Sequence, residues 1–434
     1  MTGDTIVALA SGPPPAAISV IRVSGPAAFS SLTALIAGNV PQHRRLSLRT
    51  LYDPRDGAAL DRALVVAFRA PDTASGEDLV ELHLHGGIAV VSGVLAALTA
   101  LPHVRLAEPG EFTRRAFANG RMDLAQVEGL ADLVAAETAG QRRTALALAG
   151  GLLSRAAETW RNRCLDILAE AEAGLDFAEE EADVAAHINE TARGQLQSLV
   201  AELGALIADA DRGQRLRSGL TITVTGAPNV GKSSLVNALS SSDAAIVTAI
   251  AGTTRDPIEV AIDLDGVAAV LIDTAGLRDT DDPIEAEGIR RARLRADAAD
   301  LVIHLIDRWP AAIPDTGVLV VNKIDLLDTP KTAVGAVHFV SALTGNGIAD
   351  LRHWLAVWAA TTLRPAEPPL LSHARHRSAF VDAAAALTDA AVTDDSVLRA
   401  ESLRHAAQAF GRIAGRVDVD DILERIFSRF CIGK

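Results

Sequence analysis

Residues 226–233 constrain the fold of this chain more than any other segment, because they read Gly-Ala-Pro-Asn-Val-Gly-Lys-Ser and fit the pattern G-x-x-x-x-G-K-[ST]. A β-branched segment, Leu220–Thr225, precedes them and a helical pattern, Ser234–Leu239, follows. In this context backbone N–H groups close around phosphates, Lys232 places a cation on the β- and γ-phosphate oxygens, and Ser233 offers a hydroxyl to Mg²⁺. An ordinary strand-to-helix turn is the alternative, although the pattern arises by chance in only about one per cent of chains of this length. The segment therefore predicts a phosphate-binding loop in an α/β domain.

Further short motifs follow the ends of later strands. Asp273-Thr274-Ala275-Gly276 comes after an apolar segment, which places Asp273 to hold Mg²⁺ through water and Gly276 to approach a γ-phosphate with its backbone N–H. In Asn322-Lys323-Ile324-Asp325, the carboxylate of Asp325 can accept hydrogen bonds from guanine N1–H and N2–H₂, which adenine does not offer. Ser341-Ala342-Leu343 would close the base pocket. Each string alone is short, but their order along the chain predicts that the nucleotide is GTP.

The segment Gly252-Thr253-Thr254-Arg255-Asp256 lies between the phosphate-binding loop and Asp273. We assign Thr254 as a second hydroxyl ligand of Mg²⁺ in a switch that the γ-phosphate orders, with a plain Gly-Thr turn as the alternative. Directly after the Asp-x-x-Gly motif stands Leu277, where small regulatory GTPases carry a glutamine that positions water. Another group must then orient the water, or the domain is a slow switch, and Arg255 remains open as an arginine finger.

Proline placement indicates how the chain is organised. Prolines are scattered over residues 13–109, are missing until Pro228, and are missing again after Pro369. Because proline is excluded from helix interiors, the two proline-free stretches predict helices. We therefore predict four segments. They are 1–118 as a mixed α/β domain, 119–216 and 365–434 as two parts of one helical bundle, and 217–364 as an inserted P-loop G domain with a doubly wound, mainly parallel sheet.

Strands are predicted where short β-branched or apolar runs stand between turn residues. In the first domain these runs are Ile18–Val23, Leu64–Phe68 and Leu79–Leu84, and a helix is expected after Gly86-Gly87. In the G domain they are Leu220–Thr225, Val267–Ile272, Leu301–Ile306, Val318–Val321 and His338–Val340.

Composition restricts the class of protein. The chain has 434 residues, of which 49% are hydrophobic and 22% charged, which is typical of a folded protein with several domains and excludes a largely disordered chain. A net charge of −14 argues against a protein that coats nucleic acid in bulk. Two cysteines, Cys164 and Cys431, cannot build a disulfide framework or a four-cysteine zinc site. The N-terminus shows no signal pattern and no apolar run approaches the ~18 residues that span a bilayer, so we expect a cytoplasmic protein with no membrane segment.

The sequence resembles the MnmE (TrmE) family of tRNA-modification GTPases over essentially its whole length. The motifs that carry the resemblance are Asn229 in the phosphate-binding loop, residues 252–256, 273–278, 21–25, 81–87, 107–117 and 123–126, and the terminal Cys431-Ile432-Gly433-Lys434. The resemblance implies an N-terminal domain that binds folate and dimerises, a helical domain made of two segments, and an inserted G domain.

The activity that the resemblance implies requires a partner. Together with the FAD-dependent protein MnmG, in a heterotetramer or larger complex, the homodimer would add an aminomethyl or carboxymethylaminomethyl group to carbon 5 of wobble uridine 34 of certain tRNAs. The one-carbon unit would come from 5-formyl- or methylene-tetrahydrofolate, and potassium-dependent dimerisation of the G domains would promote GTP hydrolysis.

The resemblance also places residues in the G domain. It puts K⁺ on Asn229, Thr248, Ile250 and Thr253, where a monovalent cation offsets charge that an arginine finger would otherwise meet. It puts the catalytic glutamate on Glu285, for which a solvated charge at a helix start is the alternative. With the motifs above, the predicted nucleotide-contacting residues are Asn229, Val230, Gly231, Lys232, Ser233, Ser234, Thr248, Ala249, Ile250, Ala251, Gly252, Thr253, Thr254, Asp273, Thr274, Ala275, Gly276, Asn322, Lys323, Asp325, Ser341 and Ala342.

Folate contacts carry over to Arg22, Glu81, Arg121 and Lys434, since arginine and lysine fit the glutamyl carboxylates of folate and a glutamate can accept hydrogen bonds from the pterin. The chain departs from the family in two places: Arg121 stands where lysine is common, and residues 11–15 read Ser-Gly-Pro-Pro-Pro instead of a glycine-rich turn. Surface ion pairs are the alternative for these charges.

Three other side chains have two possible interpretations. Cys431 corresponds to a functional cysteine of the family and is predicted to be catalytic, with a small apolar residue at the end of the last helix as the alternative. His83 and His85 share one face of a predicted strand, but two histidines without a nearby carboxylate or thiolate are a weak metal signal.

Two other functions remain open. One is a GTP-controlled RNA-binding switch, such as a ribosome-assembly G protein, which would need neither a folate site nor the terminal Cys-Ile-Gly-Lys. The other is a one-carbon transferase that acts without a flavin partner and uses its G domain for regulation.

Overall fold

The computed structural model describes residues 3–177, 182–241, 259–273, 298–308, 316–326, 337–364, 368–415 and 433. The chain divides into two compact units: an N-terminal unit, Met1–Ala131 with Gly411–Lys434, and a central unit, Asp132–Phe410. This division does not test the predicted domain limits, which stay a prediction. Among the described helices, none is long and apolar enough to cross a membrane.

A six-stranded sheet forms the centre of the N-terminal unit. Its strands are β1 (Thr5–Leu9), β2 (Ile18–Ser24), β3 (Ser47–Tyr52), β4 (Ala59–Phe68), β5 (Leu79–His85) and β6 (Val104–Leu106), in the spatial order β3-β4-β5-β2-β1-β6. All neighbours are antiparallel except β1 and β6, which are parallel. The helices are α1 (Ala28–Leu35), α2 (Ile88–Thr99), α3 (Glu111–Ala118) and the start of α4 (Leu124–Ala135).

Alternating side chains on the strands of this sheet build its core. Ile21 on β2 and Leu82 on β5 face the same way and are almost completely buried, and they pack with Leu35 of α1 and Leu98 of α2. The period of two along each strand therefore turns one face of the sheet towards α1 and α2. The three strands and the helix predicted for this unit are confirmed, with β4 extending further towards its N-terminus than the sequence indicated.

Long helices and a second sheet make up the central unit. The helices before the sheet are α5 (Ala139–Ala149), α6 (Leu152–Phe177) and α7 (Ala182–Ser218), and those after it are α10 (Ala374–Val392) and α11 (Ser396–Ile413), the last of which continues into the N-terminal unit. The described parts of segments 119–216 and 365–434, which were predicted to be helical, are thus mostly helix.

The second sheet has six strands in the order β12-β11-β10-β7-β9-β8. They are β7 (Leu220–Gly226), β8 (Glu259–Leu264), β9 (Val267–Asp273), β10 (Leu301–Ile306), β11 (Val318–Val321) and β12 (Val337–Phe339), with helices α8 (Lys232–Ser241) and α9 (Ile348–Leu363). Every neighbouring pair is parallel except β8 and β9. All five predicted strands form.

Strand β8 was not predicted. It is joined to β9 by Asp265-Gly266, and both residues have positive φ (51° and 96°). This two-residue turn suits an antiparallel hairpin because its twist matches that of the flanking strands. The sheet is therefore mainly parallel with one antiparallel edge, and the carboxyl ends of its parallel strands lie at a common edge.

Candidate nucleotide-binding site

The loop between β7 and α8 is the centre of the site. Gly226 has φ of 154°, and a Cβ there would lie 2.3 Å from the Leu305 carbonyl oxygen. Gly231 has φ of 101°, and a Cβ there would lie 2.4 Å from Nδ2 of Asn322. Any side chain at these two positions would collide with its neighbours, so the glycines of the motif are required by the close approach of the backbone.

Lys232 begins α8 and folds back across this loop. Its Nζ donates to the carbonyl oxygens of Gly226 at 2.9 Å and Ala227 at 3.1 Å, and the residue is only 8% exposed. A buried ammonium is costly unless hydrogen bonds surround it. The loop thus holds a desolvated cation at its centre, where phosphate oxygens are bound in loops of this type.

Ser233 and Asp273 meet beside the lysine. The Ser233 hydroxyl donates to Oδ2 of Asp273 at 2.5 Å, although the two residues lie on different elements, the start of α8 and the end of β9. Mg²⁺ prefers a small number of hard oxygen ligands together with phosphate oxygens and water. A hydroxyl and a carboxylate in contact therefore fit the predicted Mg²⁺ position.

Asn322 connects the phosphate-binding loop to the segment after β12. Its Nδ2 donates to the Val230 carbonyl at 2.9 Å, its Oδ1 accepts from the Ala342 N–H at 3.0 Å, and the residue is 3% exposed. Nearby, the fully buried Ser341 donates from its hydroxyl to Oδ1 of Asp325 at 2.5 Å. The Ser341 bond holds one oxygen of the Asp325 carboxylate beside the segment after β12, where the sequence predicts the base pocket.

Lys323 also contacts the phosphate-binding loop, and its second partner was missed by sequence reasoning. Its Nζ donates to the Asn229 carbonyl at 2.9 Å and to Oδ2 of Asp307 at 3.0 Å. The hydrogen bond from Lys323 lowers the pKa of the Asp307 carboxyl. Asp307 directly follows β10, so its place at the carboxyl end of a parallel strand was the signal that could have identified it.

In the N-terminal unit the structure brings Arg22 and Glu81 together. They are directly opposite in the β2–β5 register, and Oε1 of Glu81 accepts from Nη2 of Arg22 at 2.8 Å and from Nε at 3.1 Å. The guanidinium of Arg22 lies 5.9 Å from the ring centroid of Phe112. Both Arg22 and Phe112 line a cavity of about 220 Å³.

The other predicted folate contacts are placed less directly. Arg121 donates from Nη2 to Oδ1 of Asp72 at 3.1 Å, and its side chain is 38% exposed. Lys434 lies outside the described residues, but the preceding Gly433 approaches β1 so closely that a Cβ there would lie 2.1 Å from the Leu9 carbonyl oxygen.

The two strand histidines contact carboxylates instead of one another. Nδ1 of His85 lies 2.7 Å from Oδ1 of Asp61, and Nε2 of His83 lies 3.6 Å from Oε2 of Glu81. Within the described ranges, no group of three His, Cys, Asp or Glu side chains could hold a metal ion.

Much of the predicted γ-phosphate and cation machinery falls on residues that the structure leaves undescribed. The predicted residues outside the described ranges are Thr248, Ala249, Ile250, Ala251, Gly252, Thr253, Thr254, Thr274, Ala275, Gly276, Glu285, Cys431 and Lys434. Their roles stay predictions.

Comparison with known proteins covers the whole chain. A family model described as the MnmE helical domain matches residues 124–431, and one described as the GTP-binding protein TrmE N-terminus matches residues 5–121. The tRNA modification GTPase MnmE of Methylobacterium radiotolerans is 50% identical over 440 residues, and that of Rhodopseudomonas palustris is 47% identical over 439 residues, with 99% of both chains covered in each case. Among solved structures, the G domain of the T. maritima FeoB iron transporter is 25% identical to this chain. The match spans 34% of this chain and 99% of the transporter domain, but its TM-score of 0.21 is too low to support an inference. The matches over both parts of the chain show that it belongs to the MnmE (TrmE) family.

Proposed function

We propose that this chain is a GTPase that acts in the modification of tRNA. The observation that carries the proposal is the convergence, at one edge of the second sheet, of Lys232 in its loop, the Ser233–Asp273 pair, and an Asp325 carboxylate oriented by Ser341. The relatives at 50% and 47% identity, both named tRNA modification GTPases, support the tRNA part of the proposal.

Each group in this arrangement has a distinct chemical role. Lys232 and the backbone N–H groups of the loop stabilise the negative charge that develops on the phosphates during transfer to water. Ser233 and Thr254 would supply hydroxyl ligands to Mg²⁺, and Asp273 would hold it through water. Asp325 selects guanine, because its carboxylate only accepts hydrogen bonds and guanine presents two adjacent donors.

A potassium ion and Glu285 complete the hydrolytic machinery in this proposal. Asn229, Thr248, Ile250 and Thr253 hold the cation beside the phosphates when two G domains dimerise, and Glu285 orients the attacking water. Supporting this, the Asn229 backbone is held at φ of 64° and its carbonyl accepts from Lys323, so the residue has a defined position in the loop. Leu277 has no polar group and cannot take the place of Glu285.

The N-terminal unit supplies the one-carbon chemistry in the proposal. It binds a tetrahydrofolate derivative near Arg22, Glu81, Arg121 and Lys434. Together with the FAD-dependent partner MnmG, the cytoplasmic homodimer adds an aminomethyl or carboxymethylaminomethyl group to carbon 5 of uridine 34. Cys431 acts as a catalytic group in this reaction. The support is physical: Arg22 and Phe112 line the 220 Å³ cavity and Arg22 pairs with Glu81, so a cation, a carboxylate acceptor and an aromatic ring lie together there.

Cation dependence tests the hydrolytic part of the proposal. GTP hydrolysis is measured with Mg²⁺ in potassium and in sodium buffer for the wild type, Glu285→Ala, and the matched control Glu287→Ala, two positions further along the same motif. We expect stimulation by potassium alone, lost in Glu285→Ala while GTP binding persists and retained in Glu287→Ala. Equal slow rates in both salts would reject the cation-dependent mechanism and favour a GTP-controlled switch.

A further inference from the structure

A second cavity lies within the central unit, away from the nucleotide-binding residues. It has a volume of about 340 Å³ and lies where the end of α4, α5 and the end of α7 meet. Part of its wall is apolar, formed by the methyl groups of Ala135, Ala136 and Ala145. For comparison, an apolar cavity of about 150 Å³ is enough to hold benzene.

One buried hydroxyl in the wall has no partner. Thr144 is 6% exposed, and its Oγ1 makes no hydrogen bond in the described structure. Because this oxygen is also inaccessible to solvent, Thr144 meets the cavity with the carbon atoms of its side chain and adds to the apolar part of the wall.

Arg217 provides a polar group to the same cavity. Its Nε donates to Oδ1 of Asp132 at 2.8 Å, while its Nη1 and Nη2 have no hydrogen-bond partner among the residues that the structure covers. The other oxygen of Asp132 lies 2.8 Å from Nε2 of His373. Because Asp132 is held between these two groups, it fixes the guanidinium in place and leaves the terminal N–H groups of the fork available.

These features specify the class of ligand. A guanidinium fork binds a planar pair of oxygens with two parallel hydrogen bonds, and the alanine wall requires an apolar body on the same molecule. Inorganic phosphate would satisfy the fork and leave the alanine wall without a partner. We propose that this cavity binds a small organic carboxylate, with its oxygens on the terminal N–H groups of Arg217 and its apolar part against the three alanines.

The location gives such a ligand contact with segments that lead into the nucleotide-binding domain. Arg217 is three residues before β7, the strand that enters the phosphate-binding loop. The N-terminus of α5 is tied to the β8–β9 turn by the Gly140 N–H, which donates to the Gly266 carbonyl at 2.9 Å. None of the residues that line this cavity belongs to the proposed nucleotide or folate sites, and carboxylate binding there does not depend on the proposed function.

Calorimetric titration of the full chain with benzoate, and with benzamide as its neutral counterpart, tests the proposal. We expect benzoate to bind more tightly than benzamide, and Arg217→Gln to weaken benzoate binding about tenfold or more. Arg215→Gln is the matched control, because Arg215 lies on the same helix but pairs with Asp300 at 3.1 Å, and it should leave the affinity unchanged.

Further arms of the titration distinguish a specific site from nonspecific binding. Ala145→Leu fills the cavity and should abolish benzoate binding, with unchanged GTP affinity as evidence that the variant is folded. The proposal is overturned if the wild type does not bind benzoate at millimolar concentration, if benzamide binds equally well, if inorganic phosphate binds more tightly than benzoate, or if Arg215→Gln and Arg217→Gln have the same effect.

Discussion

The Asp325→Asn substitution tests the assignment of the base-binding carboxylate. Oδ1 of Asp325 is held by the hydroxyl of the fully buried Ser341 at 2.5 Å, so the substituted amide is confined to the same place. One acceptor oxygen then becomes an N–H donor that faces a donor of guanine. A hydrogen bond to a charged group is lost and a donor is left unpaired, which together amount to about 3 kcal/mol, or about 150-fold in the dissociation constant of GTP.

Xanthosine triphosphate provides the complementary half of this test. Xanthine carries a carbonyl where guanine carries its amino group, so the asparagine N–H should bond to it and Asp325→Asn should prefer xanthosine triphosphate. Fluorescence titration with both nucleotides measures the two affinities. The control is Asp307→Asn, which makes the same chemical change at an exposed carboxylate that pairs with Lys323 and should shift GTP affinity by less than about fivefold. Unchanged GTP affinity in Asp325→Asn, or an equal loss in Asp307→Asn, would refute the assignment.

Two further predictions concern the same domain. Burial lowers the pKa of His338, while the charge of Asp350 acts in the opposite direction, and neither ring nitrogen has a hydrogen-bond partner in the described structure. Because the unfolded chain then binds a proton more readily, the free energy of unfolding should fall as the pH drops below the ordinary value of 6.5, and His338→Phe should reduce this fall. Urea unfolding at about pH 7.5 and about pH 5.5 measures the free energy of unfolding of the wild type and of His338→Phe. An identical pH dependence in these two proteins would exclude His338 as the cause. Gly231→Ala should abolish GTP binding because the added Cβ would collide with Asn322. The control Gly204→Ala should bind GTP normally, since no atom lies within 4 Å of a Cβ at that position. Retained GTP binding in Gly231→Ala would contradict the described loop geometry.

The sequence was most informative where a function depends on a local turn. The phosphate-binding loop requires Gly226 and Gly231 at a fixed spacing, and its lysine and serine follow directly, so the motif predicted β7, α8 and the places of Lys232 and Ser233. Short β-branched or apolar runs between turn residues likewise predicted β2, β4 and β5 of the first sheet and five strands of the second.

Pairings between distant residues could not be derived in this way. Asp132 contacts Arg217, 85 positions away, and His373, 241 positions away. Nothing in the local sequence around any of these three residues indicates that they meet. Asp307 needed the register of β10 and β11 before its pairing with Lys323 became visible. Strand β8 was missed even though its signal was local, because the Asp265-Gly266 turn between alternating residues was not recognised as a hairpin.

The central claim is that GTP hydrolysis at this site serves tRNA modification, and one measurement tests it most directly. Cells whose own copy of this gene is deleted are supplied with the wild type, Lys232→Ala or the control Lys323→Arg, and the nucleosides of their tRNA are quantified by mass spectrometry. We expect 5-aminomethyl or 5-carboxymethylaminomethyl uridine with the wild type, none with Lys232→Ala, and a reduced but measurable amount with Lys323→Arg, since a cation beside the Asn229 carbonyl is retained. Full levels of the modified uridine with Lys232→Ala, or none with the wild type, would contradict the account.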